Sequence, residues 1–218
     1  MKIGGFLKQS FVDFPSTISA VIFTNGCNLS CWYCHNKQLI NGKLKNETKL
    51  SEIYDFLESR KGFLDGVVIS GGEPTMQYDL EEVIDHLKLL GYKVKLDTNG
   101  TKPDILEKLL PKVDYVAMDI KNSFGNYEKT VGKTNLENIK QSIRILKKSK
   151  NYEFRTTFSP DITLDDMECI GKSIEGTEHF YLQTYVPQNA SQIQAHTNED
   201  FDNAIKIIKK YVKNAEIR

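Results

Sequence analysis

Ile18-Ser19-Ala20-Val21-Ile22-Phe23-Thr24-Asn25-Gly26-Cys27-Asn28-Leu29-Ser30-Cys31-Trp32-Tyr33-Cys34-His35-Asn36 carries two signals in succession. The run from Ile18 to Phe23 is short, apolar and β-branched, which predicts a strand. It leads directly into three cysteines, Cys27, Cys31 and Cys34, in the spacing C-x3-C-x2-C. Three thiolates this close can hold three corners of one iron–sulfur cluster and leave the fourth iron open to a small ligand. A structural zinc site is the alternative, but it wants four tetrahedral ligands, usually from two knuckles. No second knuckle exists, and His35, adjacent to Cys34, closes a tetrahedron awkwardly. Thiolate ligation of iron and sulfur is preferred on ligand type. Disulfides would need an oxidising compartment, which nothing else suggests. The remaining cysteine, Cys169, reads as a buried thiol in a helix.

Outward from this stretch, similar runs recur at Val67 to Ser70, Val94 to Asp97, Tyr115 to Ile120, Phe154 to Phe158 and Phe180 to Tyr185. Between them apolar residues return with helical period. Leu50, Ile53, Tyr54 and Leu57 share a face, as do Leu80, Val83, Ile84 and Leu87, then Ile105, Leu106, Leu109 and Leu110. Further faces are Leu136, Ile139, Ile143 and Leu146; Leu164, Met167, Ile170 and Ile174; and Phe201, Ala204, Ile205, Ile208 and Val212. Thr163 with Asp166, and Thr197 with Asp200, have the spacing of N-terminal capping boxes. Strand and helix thus alternate six times, which argues for parallel strands joined by right-handed helical crossovers. Six units fall short of the eight of a closed barrel. The expected fold is α/β, a partial (β/α)6 barrel in a single domain over residues 1–218, with its site at the C-terminal strand ends. Thr24 to Lys49 shows no convincing period over about 26 residues, far beyond an ordinary loop, and an ordered cluster would explain such a segment.

The 29 basic and 29 acidic residues cancel, so no general attraction to nucleic acid or to an anionic membrane is expected. Lysine runs at Lys147 to Lys150 and at Lys206, Lys209, Lys210 and Lys213 read as solvated helix faces. No apolar stretch suggests a signal peptide or a membrane span, so a cytoplasmic location is expected.

Polar residues collect where the strands end. Gly71-Gly72-Glu73-Pro74 follows the second strand; its glycines permit close backbone approach to a ligand and Glu73 can accept a hydrogen bond from a ligand ammonium, although a structural turn explains the pair as well. Asp97-Thr98-Asn99-Gly100 follows the third strand and Asp119-Ile120-Lys121 ends the fourth, each also readable as turn and cap chemistry. Arg155, inside the fifth strand, needs an acceptor if it points inward. Together these suit a zwitterionic ligand that carries a ribose.

With these residues in view the chain resembles the radical S-adenosylmethionine enzymes over nearly its whole length. The likeness rests on C-x3-C-x2-C with Tyr33 before the third cysteine, on Gly71-Gly72-Glu73-Pro74, and on the strand ends at Asp97 and Asp119. Ser10-Phe11-Val12-Asp13-Phe14-Pro15, Gly26-Cys27-Asn28-Leu29 and Cys34-His35-Asn36 resemble the activases of glycyl radical enzymes. The compact length and Leu182-Gln183-Thr184-Tyr185-Val186-Pro187 look most like the activating protein of anaerobic ribonucleoside-triphosphate reductase. Pyruvate formate-lyase activase is the rival, but its Val-Asp-Gly-Pro-Gly is here Val12-Asp13-Phe14-Pro15-Ser16. A radical enzyme acting on a small molecule is a further alternative.

The resemblance implies a 4Fe-4S cluster on Cys27, Cys31 and Cys34 whose open iron chelates S-adenosylmethionine. It implies Gly71, Gly72 and Glu73 at the ammonium, the Tyr33 backbone at the adenine, and Asp97, Thr98, Asn99, Asp119, Lys121 and Arg155 around the carboxylate and ribose. In some relatives the two aspartates also hold a monovalent cation. The implied partners are a glycyl radical enzyme, anaerobic ribonucleotide reductase first among them, and a small redox protein as electron donor. The implied reaction reductively cleaves S-adenosylmethionine and installs a glycyl radical. No acid–base dyad is needed, in keeping with only four histidines.

Overall fold

The computed structural model describes residues 1–41, 48–187 and 195–218. They form two compact units: Met1–Asn28, Asn36–Thr98 and Asp104–Val116 make the first, while Leu29–His35, Asn99–Pro103 and Ala117–Arg218 make the second.

The first unit holds β1 (Ile3–Ser10), β2 (Ser19–Thr24), β3 (Gly66–Gly71) and β4 (Lys93–Thr98), paired in chain order. β2, β3 and β4 run parallel, with Ser19 opposite Gly66 and Gly66 opposite Lys93, as the alternation of strand and helix predicts. Around them lie α1 (Lys37–Ile40), α2 (Leu50–Ser59), α3 (Leu80–Leu89) and α4 (Pro103–Leu109). Ile53 and Leu57 of α2 and Ile84 and Leu87 of α3 are fully buried, like Val67, Ile69, Val94 and Leu96 of the strands. Each such side chain contributes about 1.5–3 kcal/mol relative to exposure. β5 (Tyr115–Asp119) begins in the first unit and ends in the second.

The second unit continues with α5 (Tyr127–Val131), α6 (Leu136–Leu146), β6 (Tyr152–Phe158), α7 (Leu164–Ser173), β7 (His179–Thr184), α8 (Asn198–Ile208) and β8 (Asn214–Ile217). β6, β7 and β8 are again parallel. Both expected capping boxes are present: Thr163 accepts from the Asp166 N–H and Thr197 from the Asp200 N–H, each aspartate returning the bond.

All six expected strands appear within two residues of their predicted limits, and two more join them among the described residues. β1 runs antiparallel to β2 and escapes the pattern because Gly4, Gly5, Lys8 and Gln9 break any apolar alternation. β8 has only four residues, of which Ala215 alone is buried. The long connection after β2 contains one helical turn, α1, held by the buried Leu39; its residues 42–47 lie outside the described set. Cys169 corrects the sequence reading: it is exposed. The buried positions of α7 are Asp166, Met167, Ile170 and Gly171, which places residue 169 on the solvent face.

Candidate active site

In the first unit the chain leaving β2 is fixed through its backbone. Asn25 N–H donates to Lys2 O at 2.8 Å, Gly26 N–H to Leu39 O at 2.7 Å, and Cys27 N–H to Ile40 O at 3.2 Å. The one-turn helix α1 thus supplies carbonyls that hold the first cysteine. From the other side Gly72 N–H reaches Thr24 O at 2.9 Å and Glu73 N–H reaches Gly26 O at 2.8 Å. This approach needs both glycines: a Cβ on Gly71, which has φ +109°, would lie 2.3 Å from Thr24 N, and one on Gly72 would lie 2.1 Å from Gly26 O. The close approach that Gly71 and Gly72 make is to the backbone that leads into Cys27.

Glu73 is 1% exposed. Its Oε1 accepts from Thr75 N–H at 3.1 Å, from the Thr75 hydroxyl and from the Thr98 hydroxyl at 2.8 Å, which caps the turn Pro74–Met76. Asp97 is held through both oxygens, Oδ1 by Lys95 Nζ at 2.6 Å and Oδ2 by the Ser70 hydroxyl at 3.0 Å. Lys95 is a partner that the sequence reading missed; only 1% exposed, its ammonium supplies positive charge to this aspartate from within the fold. A lysine between Val94 and Leu96, two residues before Asp97, was the available signal.

In the second unit residues 29–35 rest on the end of α5. Ser30 N–H and hydroxyl both donate to Val131 O, at 3.0 and 3.2 Å, and Trp32 N–H donates to Thr130 O at 3.2 Å. Cys34 N–H turns back to Cys31 O at 3.1 Å. The Trp32 ring packs 5.7 Å from Tyr33 and 5.6 Å from Tyr185, measured between centroids. Thr130 is itself bound by Asn122 Nδ2 at 2.9 Å and donates to Asp161 Oδ2. α5 was not legible as a helix, since five residues carry too little period. Tyr33 is buried, its hydroxyl has no hydrogen-bond partner, and burial pushes its pKa far above the ordinary value. The Cys31 thiol is also raised, by burial first, with Lys121 opposing and Cys34 and Asp119 reinforcing.

Asp119, Lys121 and Arg155 form a single ion cluster. Arg155 Nε donates to Asp119 Oδ1 at 2.8 Å and Lys121 Nζ to Oδ2 at 3.0 Å. Burial opposes ionisation of Asp119, yet Arg155 and Lys121 outweigh it and hold the carboxyl well below its usual range. Lys121 is the mirror case: burial disfavours its charge, and Asp119 overcomes this to raise its pKa well above the ordinary value. Arg155, whose direction the sequence leaves open, thus points to Asp119. Asn99 closes a local turn, its Oδ1 accepting from the N–H and the hydroxyl of Thr101 at 3.0 and 2.7 Å. Asn99 thus closes its own loop, whereas the Thr98 hydroxyl is bonded to Glu73.

Cys27 lies in the first unit, Cys31 and Cys34 in the second. All three are half-buried and none of the four cysteines is in a disulfide. The donor chemistry fits an iron–sulfur cluster: thiols alone, accessible, on a loop anchored through its backbone. Each thiolate of such a cluster binds its own iron. A zinc ion instead draws its donors to one point at about 2.0–2.3 Å.

Comparison with known proteins bears on this arrangement directly. The sequence model of the radical SAM superfamily matches residues 21–173, which include the three cysteines and every strand from β3 to β6. The chain belongs to the radical SAM superfamily. Enzymes of the superfamily use a 4Fe-4S cluster and S-adenosylmethionine, and so does this one. Within the superfamily the chain is a glycyl-radical-enzyme activase by kinship. It is 36% identical, over 99% of its length and 95% of the other's, to a protein of Methanocaldococcus jannaschii described as a candidate glycyl-radical enzyme activating enzyme. The pyruvate formate-lyase-activating enzyme of Clostridium pasteurianum is 34% identical over 56% of this chain and 52% of its own.

Among solved structures, Streptococcus suis SuiB bound to S-adenosylmethionine aligns at TM-score 0.67 and 17% identity, over 88% of this chain and 48% of that one. TYW1 with a lysine-pyruvate adduct aligns at TM-score 0.65 and 17% identity, over 88% of this chain and 73% of that one. At such identities the likeness speaks for the fold, and the α/β partial-barrel class expected from the sequence stands. Among the described residues no helix is long and apolar enough to cross a membrane.

Proposed function

We propose that this chain activates anaerobic ribonucleoside-triphosphate reductase, with Cys27, Cys31 and Cys34 as the cluster ligands and the whole chain acting as one radical SAM domain in the cytoplasm. The observation that carries the reading is the match, over 99% of this chain and 95% of the relative, to a candidate glycyl-radical enzyme activating enzyme. When bound, the cluster and S-adenosylmethionine supply a 5′-deoxyadenosyl radical able to take a hydrogen atom from a glycine Cα. The residues of the chain do the rest by position and charge.

Glu73 presents a carboxylate at the end of β3 for the ligand ammonium, on a backbone held by Gly26. Asp119, Lys121 and Arg155 form a polar cluster for the carboxylate and ribose, each charge held by its neighbour. Asp97, paired with Lys95, offers a polar strand end without net charge. That pairing argues against a monovalent cation bound at Asp97. Gly71 and Gly72 serve through the close packing of the strand ends. Tyr33 offers its backbone to the adenine, and Thr98 and Asn99 shape the loop beside it. A small redox protein is the proposed electron donor.

The test is anaerobic reconstitution with iron and sulfide, then incubation with the reductase, S-adenosylmethionine and a low-potential reductant. A glycyl doublet in electron paramagnetic resonance on the reductase, with 5′-deoxyadenosine formed alongside, is the expected result. The match to a pyruvate formate-lyase-activating enzyme favours a second reading, so formate-lyase goes in a parallel arm. A doublet on formate-lyase alone replaces the proposed partner; a doublet on neither overturns the activase assignment.

A further inference from the structure

The main chain from Asn25 to Cys27 has each N–H satisfied, by Lys2, Leu39 and Ile40, and Asn25 O accepts from Gln77 Nε2 at 2.9 Å. The side chain of Asn25 is the exception. The residue is 2% exposed, and neither Nδ2 nor Oδ1 has a hydrogen-bond partner. Among the described residues it is the only one whose side chain buries two unpartnered polar atoms. A carboxamide carries two donors and an acceptor, and buried polar groups are nearly always paired. An orphaned pair of this kind marks a partner that arrives later.

The position of Asn25 says which partner. Val21 and Phe23 pack with Phe14, Val68 and Tyr115 in one cluster. Two residues beyond Val68 on the same face, Ser70 bonds Asp97. Side chains alternate along a strand, and the bond from Asn25 N–H to Lys2 O adds one more rung to the pairing of β1 with β2. Asn25 therefore follows Val21 and Phe23 on the face that bears Ser70 and Asp97, at the strand end and two residues ahead of Cys27. Apolar packing would serve a purely structural position better, since leucine has nearly the same shape and no polar atoms to leave unpaired.

We propose that Asn25 is a positioning residue whose Nδ2 donates a hydrogen bond to a sulfur of the cluster held by Cys27, and thereby sets how readily that cluster accepts an electron. The inference rests on the reading of Cys27 as a ligand. An N–H donor draws electron density from sulfur and favours the reduced, more negative state. Removing one such bond should shift the reduction equilibrium about tenfold toward the oxidised form, which is about 59 mV for a one-electron couple.

The experiment uses the full chain reconstituted anaerobically, as wild type, Asn25→Leu and Asn25→Asp, with the midpoint read by redox titration of the cluster signal. Both variants should have lower midpoints. Asn25→Asp should fall at least as far as Asn25→Leu, because it keeps the shape, loses the donor and adds charge. Before reconstitution, Asn25→Leu should melt at or above the wild-type temperature, since no bond is lost in the metal-free protein. Iron-loaded variants with wild-type midpoints overturn the proposal, as does a metal-free Asn25→Leu protein that melts well below wild type. A wild-type chain that assembles no 4Fe-4S cluster overturns instead the ligand assignment beneath it.

Discussion

Replacing Gly132 by alanine should loosen the cysteine loop without unfolding the protein. Gly132 caps α5 with φ +80° and ψ −172°, a region open essentially to glycine alone, and any other residue there costs about 1–3 kcal/mol. The added Cβ would also stand 2.7 Å from Ser30 Oγ. Ser30 must swing away and give up its hydroxyl bond to Val131 O, a further ~0.5–1.5 kcal/mol. The combined cost is about 2–4 kcal/mol. The loop is held on α5 by three hydrogen bonds, from Ser30 N–H, Ser30 Oγ and Trp32 N–H, together worth about the same amount. Undocking of residues 29–35 is thus the cheapest relief, and it takes the backbone of Cys31 and Cys34 out of register. Native-state hydrogen exchange reads this directly: the Ser30 and Trp32 amides should exchange roughly 30- to 1,000-fold faster in Gly132→Ala, at about 1.4 kcal/mol per factor of ten. Iron and sulfide retained per chain after reconstitution should fall in parallel. Adding Ser30→Ala removes the clash but not the backbone strain, so the double variant should recover only part of the protection. Wild-type exchange at both amides in Gly132→Ala would refute the reasoning.

Other positions give simpler tests. Lys95→Met keeps the buried stem but removes the ammonium that faces Asp97 Oδ1, so urea denaturation of the metal-free protein should show a loss of about 3–5 kcal/mol; a loss under ~1 kcal/mol would mean that the pair is not held in the folded protein. Asp119 has its pKa depressed from an ordinary value of 3.8, so its contribution to stability is full above that value and is lost as pH falls through the folded-state pKa. Arg155→Met shrinks the depression, and the acid-unfolding midpoint followed by circular dichroism should move to higher pH; coincident acid curves would rule out the ion cluster as their cause.

The division between what the sequence discloses and what it withholds follows from the range of the interactions involved. The six expected strands and the longer helices were legible because each buries an apolar run or a periodic face, as Ile53 and Leu57 or Ile84 and Leu87 do, and such patterns are local. The cysteines stand out in the sequence because their spacing is itself a local pattern. β1 was hidden because its glycines and polar residues are compatible with a strand only when β2 supplies the partner. The same holds within the site. Which groups neutralise Asp97 and Asp119 depends on Lys95, Lys121 and Arg155, and Arg155 comes 36 residues later in the chain, brought to Asp119 by tertiary structure. α5 is the extreme case: five residues with no period of their own, fixed by Asn122 and Asp161 through Thr130, provide the carbonyls that dock the cysteine loop. The ligand types of a metal centre are therefore written in its motif, whereas the scaffold that holds them at fixed separations is written in residues far from it. Second-site substitutions at Thr130, Gly132 or Asp161 should consequently lower cluster occupancy while every cysteine remains in place.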